Sequence, residues 1–322
     1  MLFALAITGP TASGKTAVSL ELAERLSAEI ISCDSMQIYK EMNIGTAKAT
    51  LEEQARVPHH LIDFLSPKEN FSVERYREMA LRAAEDITSR GKLPLFVGGT
   101  GLYIDSLMRD SAADSPESDP EYRDRILASI KNDEDVSALW GRLCAVDPES
   151  AEQIHKNNIK RVIRALEIFE KTGKKKSELD KETRKTSADI SVGMITLDFH
   201  NRDNLYKRVD SRVDIMLGEG LIEEVSSLYE RGLLEGETTA SAAIGYKELL
   251  PYVKGEWDLN TAKEELKTAT RRYAKRQLTW FRRYKDALRL YPDTEDGAMK
   301  DSDTVIKEAM ELANKLINNT KR

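Results

Sequence analysis

Through the first 110 positions apolar residues alternate between short unbroken runs and helical periodicities. Leu2 to Ile7 is a run, and Thr16 to Leu26 then places Val18, Leu22 and Leu26 on one helical face. Glu29-Ile30-Ile31-Ser32-Cys33-Asp34 is a short buried strand ending in a carboxylate. Ser35 to Lys48, with Gly45, reads as a loop with a short helix, and Pro58 to Asp63 as a turn into a strand-like segment. Ser72 to Arg90 is strongly amphipathic, with Ser72 as N-cap, Arg75 where a capping-box Glu would sit, and Gly91 closing it. Leu93 to Val97 is a third buried strand. A second strand so soon after the first helix predicts a βαβ unit, hence an α/β fold with a parallel sheet flanked by helices.

After Leu107 the pattern changes. Ser111 to Pro120 is rich in Ser, Asp and Pro and reads as a linker, and Tyr122 to about Asp180 is helix after helix, with Asp147-Pro148 as a start and Gly173 as a stop. Strand-like composition returns at Val192 to Leu197. An all-helical insertion at 112–189, between core parts at 1–111 and 190–322, accounts for this order. Asn204 to Gly218 carries Tyr206, Val209, Val213 and Leu217 on one face and Arg208 and Arg212 on another, where Asp210 and Asp214 could partner them on a solvated surface. In the long helix from Asn260 to about Tyr284, one face holds Tyr273, Gln277, Trp280 and Tyr284, and the next holds Arg272, Arg276 and Arg283. Leu288 to Tyr291 is expected as a last strand and Asp303 to Ile317 as a closing helix.

A chain of 322 residues is longer than one typical domain. It has no apolar run of membrane-spanning length and no signal-peptide pattern, so a cytoplasmic protein is expected, with no membrane partner. Cys33, Cys144 and four histidines form no metal-binding spacing. His59 and His60, as strand neighbours, would point to opposite faces. The net charge of −6 speaks against a polyanion partner only on average. Lys156 to Lys176 holds eight Lys/Arg against two Glu, and Lys267 to Lys285 holds eight with no acid. Such stripes are the footprint of a polyanion.

The candidate chemistry begins at Gly9-Pro10-Thr11-Ala12-Ser13-Gly14-Lys15-Thr16, which fits G-x-x-x-x-G-K-[ST] between an apolar strand and a helical pattern. Such a loop aims backbone N–H groups at phosphate oxygens, and the helix dipole reinforces them. Lys15 would add a point charge and the Thr16 hydroxyl a ligand for hydrated Mg²⁺. Gly9 and Gly14 allow tight turning and close approach. Asp34, at the carboxyl end of a parallel strand, should face the same crevice, as should Gly98-Gly99-Thr100-Gly101. A turn requiring positive φ would account for those glycines but not for Thr100.

Taken with Asp34-Ser-Met-Gln-Ile-Tyr39, Gly45-Thr-Ala-Lys48, Pro58-His-His-Leu-Ile-Asp63, Gly98-Gly-Thr-Gly-Leu-Tyr103, Gly245-Tyr-Lys247 and Lys275-Arg-Gln277, the loop makes the chain resemble the bacterial tRNA dimethylallyltransferase family from residue 5 to about 284. The resemblance implies a P-loop NTPase-like fold and transfer of a dimethylallyl group from its diphosphate to N6 of the adenosine immediately 3′ of the anticodon. It makes the prenyl donor's diphosphate the P-loop ligand, with Mg²⁺ at Thr16. It assigns Asp34 as base, Thr100 as a contact to the target nucleotide and Arg208 as a further diphosphate clamp. The tRNA anticodon stem-loop would meet Asp34, Ser35, Met36 and Gln37, then Arg123, then Lys160, Arg161, Val162, Ile163 and Arg164. The remaining contacts would be Gly245, Tyr246 and Lys247 within 242–247, and Arg272, Lys275 and Arg276 within 272–279. A monomer is expected. With no Cys or His after residue 200, the C-terminal zinc finger of some, chiefly eukaryotic, members is not expected. Rival readings are an adenylate (AMP or ADP) dimethylallyltransferase, a P-loop small-molecule kinase and, last, a non-enzymatic RNA-binding protein.

Overall fold

The computed structural model describes residues 2–108, 119–182, 189–236 and 238–320. Strands β1 (Leu2–Thr8), β2 (Ala28–Ser32), β3 (His59–His60), β4 (Leu93–Gly98), β5 (Ile190–Leu197) and β6 (Leu288–Leu290) form one sheet in the order β3-β2-β4-β1-β5-β6. Every pairing in it is parallel, as Leu5 opposite Leu95 and Ile7 opposite Ile195 illustrate. Helices α1 (Lys15–Leu26), α2 (Leu51–Arg56), α3 (Val73–Ser89) and α4 (Gly101–Leu107) lie in the first half of this unit. The chain divides into Met1–Met108 with Ile190–Arg322, and Arg109–Asp189. The linker expected at 111–120 falls, from 111 to 118, outside the described residues.

Alternation along β1 decides what covers each face of the sheet. Leu5 and Ile7 point to one side, where α1 supplies Val18 and Leu22. Ala4 and Ala6 point to the other, and their small side chains let Tyr76, Ala80, Ala84 and Ile87 of α3 pack closely. The same split runs through Ile30 and Ile31 of β2 and Leu95 and Phe96 of β4. Both faces being covered, the strands read as continuous apolar runs.

The second unit contains α5 (Pro120–Ser129), α6 (Asp133–Val146), α7 (Pro148–Gln153), α8 (Ile159–Thr172) and α9 (Lys176–Glu182). Asp147 caps α7 by accepting from Ser150 N, and Gly173 ends α8 at φ +69°. Its core gathers Tyr122, Leu139, Leu143, Val162, Ile163 and Leu166. Glu167, fully buried, accepts from Asp119 N, Arg123 and Arg164. Burial alone would raise its pKa, but the hydrogen bonds from Arg123, Arg164 and Asp119 N outweigh it and hold the carboxyl below its usual range.

The first unit is completed by α10 (Arg202–Gly218), α11 (Leu221–Glu230), α12 (Tyr246–Val253), α13 (Leu259–Phe281) and α14 (Ser302–Thr320). Val305, Ala309 and Ala313 of α14 join the α1 side of the sheet. A further core packs Ile38, Tyr39 and Met42 against Val213, Leu221, Val225, Tyr246, Leu249 and Leu266. The helix expected within 35–48 does not form: that segment is a series of turns bridged at Tyr39 to Leu65, and the helix lies later, at α2, where Thr50 and Glu53 make a reciprocal capping box. No described helix is long and apolar enough to cross a membrane.

Candidate active site

Because β4 lies between β2 and β1 and all three are parallel, the turns leaving their carboxyl ends must sit side by side. Those turns are the Gly9–Thr16 loop, the Asp34–Gln37 turn and Gly98–Gly101. In the first, Gly9 (φ +143°), Ala12 (φ +62°) and Gly14 (φ +97°) turn the backbone back on itself. Gly14 is the N-cap of α1 and no side chain caps that end, so its N–H groups are available to an anion. Ser13 Oγ is buried without a protein partner, and Thr16 is exposed at the start of the helix.

Lys15 Nζ donates to Pro10 O at 2.6 Å. Burial, and after it the guanidinium of Arg212, lower its ammonium from 10.5 to about 7, while Asp34 pulls the other way. Arg208 Nε donates to Ala12 O at 2.8 Å, bracing the loop from α10. The solvated-face alternative for these two arginines fails on their suggested partners. Asp210 is held by Arg271, and Asp214 by Lys263 and Lys267, all from α13. Arg208 is thereby left to the loop, and Arg212 lines the cavities beside Lys15, within the field of Asp34. Arg212 is a site residue that the sequence reading passed over; its spacing from Arg208 was the available signal.

Two cavities meet here. One, of about 760 Å³, is lined by Ser13, Gly14, Arg208 and Ser211 among others; the second, of about 380 Å³, by Asp34, Ser35, Gln37, Gly45, Tyr273 and Gln277 among others. Lys15, Thr16 and Arg212 line both. Asp34 Oδ1 accepts from Met36 N at 2.9 Å, which fixes the half-buried carboxylate at the end of β2. Thr100 Oγ1 accepts from Ser35 N at 3.0 Å and donates to Ser35 Oγ at 3.3 Å, joining the turns after β2 and β4. Expected as a nucleotide contact, its hydroxyl is thus engaged within the protein.

Gln277, which the sequence reading placed on the packed edge of α13, bridges the site. Its Oε1 accepts from Thr11 N at 2.8 Å and its Nε2 donates to Gly99 O at 3.0 Å. The glycines after β4 have their explanation in this packing and not in positive φ. A Cβ on Gly98 would lie 2.2 Å from Cys33 O, one on Gly99 2.1 Å from Gln277 Nε2, and one on Gly101 2.2 Å from the Trp280 ring.

The expected polyanion contacts divide. Arg272, Lys275 and Arg276 are exposed on α13. Lys267, Arg271 and Arg282 of the same stripe are instead held by Asp214, Asp210 and Asp198. In the other unit Lys160 and Arg161 are exposed, whereas Arg123 and Arg164 both bind Glu167. Val162 and Ile163 are 1% exposed in the core of that unit, and Tyr246 is 1% exposed beneath Gly45. Their side chains therefore cannot face a partner: α8 and α12 turn these positions inward to bury apolar surface. Gly245 (φ +101°) is the N-cap of α12, and Lys247 is exposed and lines the smaller cavity. Gln37 lines that cavity too, but its amide is shared among Ser32 Oγ, Thr46 O and Ala47 O.

The group that Thr16 would hold can be tested against these atoms. Mg²⁺ keeps most of its waters and takes few protein ligands beside substrate phosphates. An exposed threonine at the start of α1, lining both cavities beside Lys15, fits that habit, and the buried Ser13 Oγ has no protein partner.

Sheet order, loop and helix N-terminus define a P-loop NTPase-like α/β fold in which the loop borders a cavity holding a carboxylate. The IPP transferase family matches residues 37–284, and the chain belongs to that family. A tRNA dimethylallyltransferase of Bacillus cereus (strain AH187) is 47% identical over 292 residues, 90% of each chain. The crystal structure of a full-length tRNA isopentenylpyrophosphate transferase from Bacillus halodurans covers 100% of this chain and 99% of its own, with 42% identity and a TM-score of 0.71. A eukaryotic dimethylallyltransferase acting on tRNA covers 99% of this chain and 80% of its own, with 31% identity and a TM-score of 0.82.

Proposed function

We propose that the protein is a tRNA dimethylallyltransferase, moving the dimethylallyl group of dimethylallyl diphosphate to N6 of the adenosine immediately 3′ of the anticodon. The observation that carries this reading is the sharing of Lys15, Thr16 and Arg212 by two cavities, only the smaller of which contains Asp34. A diphosphate on the P-loop lies at their junction. Its prenyl carbon then meets an acceptor on the Asp34 side.

N6 of adenine is a weak nucleophile because its lone pair is delocalised. As N6 forms its bond to C1 of the prenyl group, the bond from C1 to the diphosphate oxygen breaks and the N6 proton passes to Asp34. With Oδ1 occupied by Met36 N, Oδ2 is the oxygen offered to the amine. The departing diphosphate takes up charge, and Lys15, Arg208, Arg212 and the α1 N–H groups face it. Mg²⁺ at Thr16 would neutralise part of that charge. Arg272, Lys275 and Arg276 supply phosphate contacts for an RNA loop, whose target base leaves its stack to reach the cavity.

The test is incubation of the purified protein and Mg²⁺ with labelled dimethylallyl diphosphate and either unmodified tRNA or AMP. Label on tRNA alone is expected. Label on AMP would make the acceptor a free nucleotide, and ATP consumption without prenyl transfer would return the P-loop to kinase chemistry.

A further inference from the structure

Two motifs singled out in the sequence, Gly45-Thr-Ala-Lys48 and Gly245-Tyr-Lys247, are 200 residues apart and have no role in the chemistry above. In the structure they form two sides of one contact. A Cβ on Gly45 would lie 2.6 and 2.7 Å from ring atoms of Tyr246 and 2.8 Å from its hydroxyl, so only glycine lets this ring lie against the turn. The Tyr246 hydroxyl donates to Glu224 Oε1 at 2.6 Å. Burial, and then the adjacent carboxylate, push that hydroxyl well above its ordinary range, so it remains a donor.

Glu224, from α11, accepts three consecutive backbone N–H groups besides. Asn43 N and Ile44 N reach Oε2 at 2.9 Å each, and Gly45 N reaches Oε1 at 3.1 Å. Successive N–H groups converging on one point form an anion-binding nest. Here the anion is the chain's own carboxylate. The turn so held continues into Thr46 and Ala47, whose carbonyls accept from Gln37 Nε2 at 3.3 and 3.1 Å. Gln37 Oε1 in turn accepts from Ser32 Oγ at 3.0 Å, two residues before Asp34. Gly45, Thr46, Ala47, Gln37 and Asp34 all line the smaller cavity.

We propose that Glu224 and Tyr246 are positioning residues for the acceptor: they hold the Asn43–Gly45 turn so that the wall of the cavity beside Asp34 is fixed before the acceptor base arrives. The proposal rests on the prenyl-transfer reading for its kinetic test, but not for its structural one. The carboxamide of Glu224→Gln has one acceptor oxygen where four donors converge, and its NH₂ meets N–H groups. This variant should lower kcat/KM for tRNA about 10- to 100-fold, while inorganic diphosphate binds within twofold of wild type, since the P-loop is built from other elements. Tyr246→Phe keeps the ring on Gly45 and loses one donor, so a fall of about twofold to fivefold is expected.

Wild-type kcat/KM for tRNA in a folded Glu224→Gln protein would overturn the proposal, as would an equal loss of diphosphate affinity, which a merely structural role would produce. If Glu224→Gln does not fold, Tyr246→Phe decides by the same two measurements. If wild type transfers no prenyl group to tRNA, the functional reading falls. Amide hydrogen exchange at 43–45 then decides the clamp: faster exchange in the variant sustains it, and unchanged exchange removes it.

Discussion

The two ends of the site are built by opposite means. The end that the proposed reading gives to the donor is backbone and half-buried charge: three left-handed or glycine-like positions, an uncapped helix, and a lysine whose ammonium is lowered to about 7 beside Arg212. The surface proposed to meet RNA is exposed cation on a regular helix, with Arg272, Lys275 and Arg276 projecting and their stripe neighbours neutralised by Asp198, Asp210 and Asp214. The difference predicts how each end fails. Changes at the donor end and at the carboxylate should act on turnover, and changes on the exposed helix on affinity and its salt dependence.

The largest effect is expected from Asp34→Asn, which keeps the shape and removes the proton acceptor. Turnover should fall roughly 10³-fold, as removal of a general base does, with tRNA affinity within twofold. A variant with wild-type kcat in a single-turnover assay would dismiss Asp34 as the base. Gln277→Ala comes next, because it cuts a side chain that ties Thr11 of the P-loop to Gly99. A loss of roughly 10- to 100-fold in kcat is expected from misplacement alone. If only the Kd for tRNA moved, the bridge would belong to the surface and the proposed division would blur.

Arg272→Ala with Arg276→Ala should leave kcat at saturating tRNA near wild type and weaken binding. The slope of log K against log salt should flatten by roughly two, about one per phosphate contact removed. An unchanged slope would take α13 out of the interface. The smallest effect is a proton. Lys15 is deprotonated above about pH 7 in the free protein and must be charged when an anion binds. Diphosphate binding should therefore take up a proton from about pH 7 up to the ordinary lysine range near 10.4, weakening as pH rises through that window. Calorimetry at pH 8.5 in buffers of differing ionisation enthalpy would show this uptake, and Lys15→Arg, always charged, should abolish the protein's share of it. Equal uptake in both proteins would mean that Lys15 already carries its proton.

Much of this arrangement was legible in the chain because it is local. A P-loop is eight consecutive residues, and buried parallel strands appear as apolar runs. The carboxylate at the end of β2 and the glycines at the end of β4 follow from those strands. An amphipathic helix such as α13 shows itself by its period alone. What the sequence could not supply was which of two possible partners a charged or polar side chain takes.

Asp210 and Asp214 lie within a turn of Arg208 and Arg212, yet they bind α13, which leaves Arg208 to the P-loop and Arg212 to the cavities beside Lys15 and Asp34. Val162, Ile163 and Tyr246 sit inside motifs expected to touch RNA, yet their side chains face inward. Gly98, Gly99 and Gly101 are expected at the crevice, with positive φ as the other reason for glycine there, but it is the approach of Cys33, Gln277 and Trp280 that requires them. Local pattern fixes period and chain direction, because those depend on neighbours in sequence. The choice of partner depends on which elements the fold packs together, and only the tertiary structure decided that.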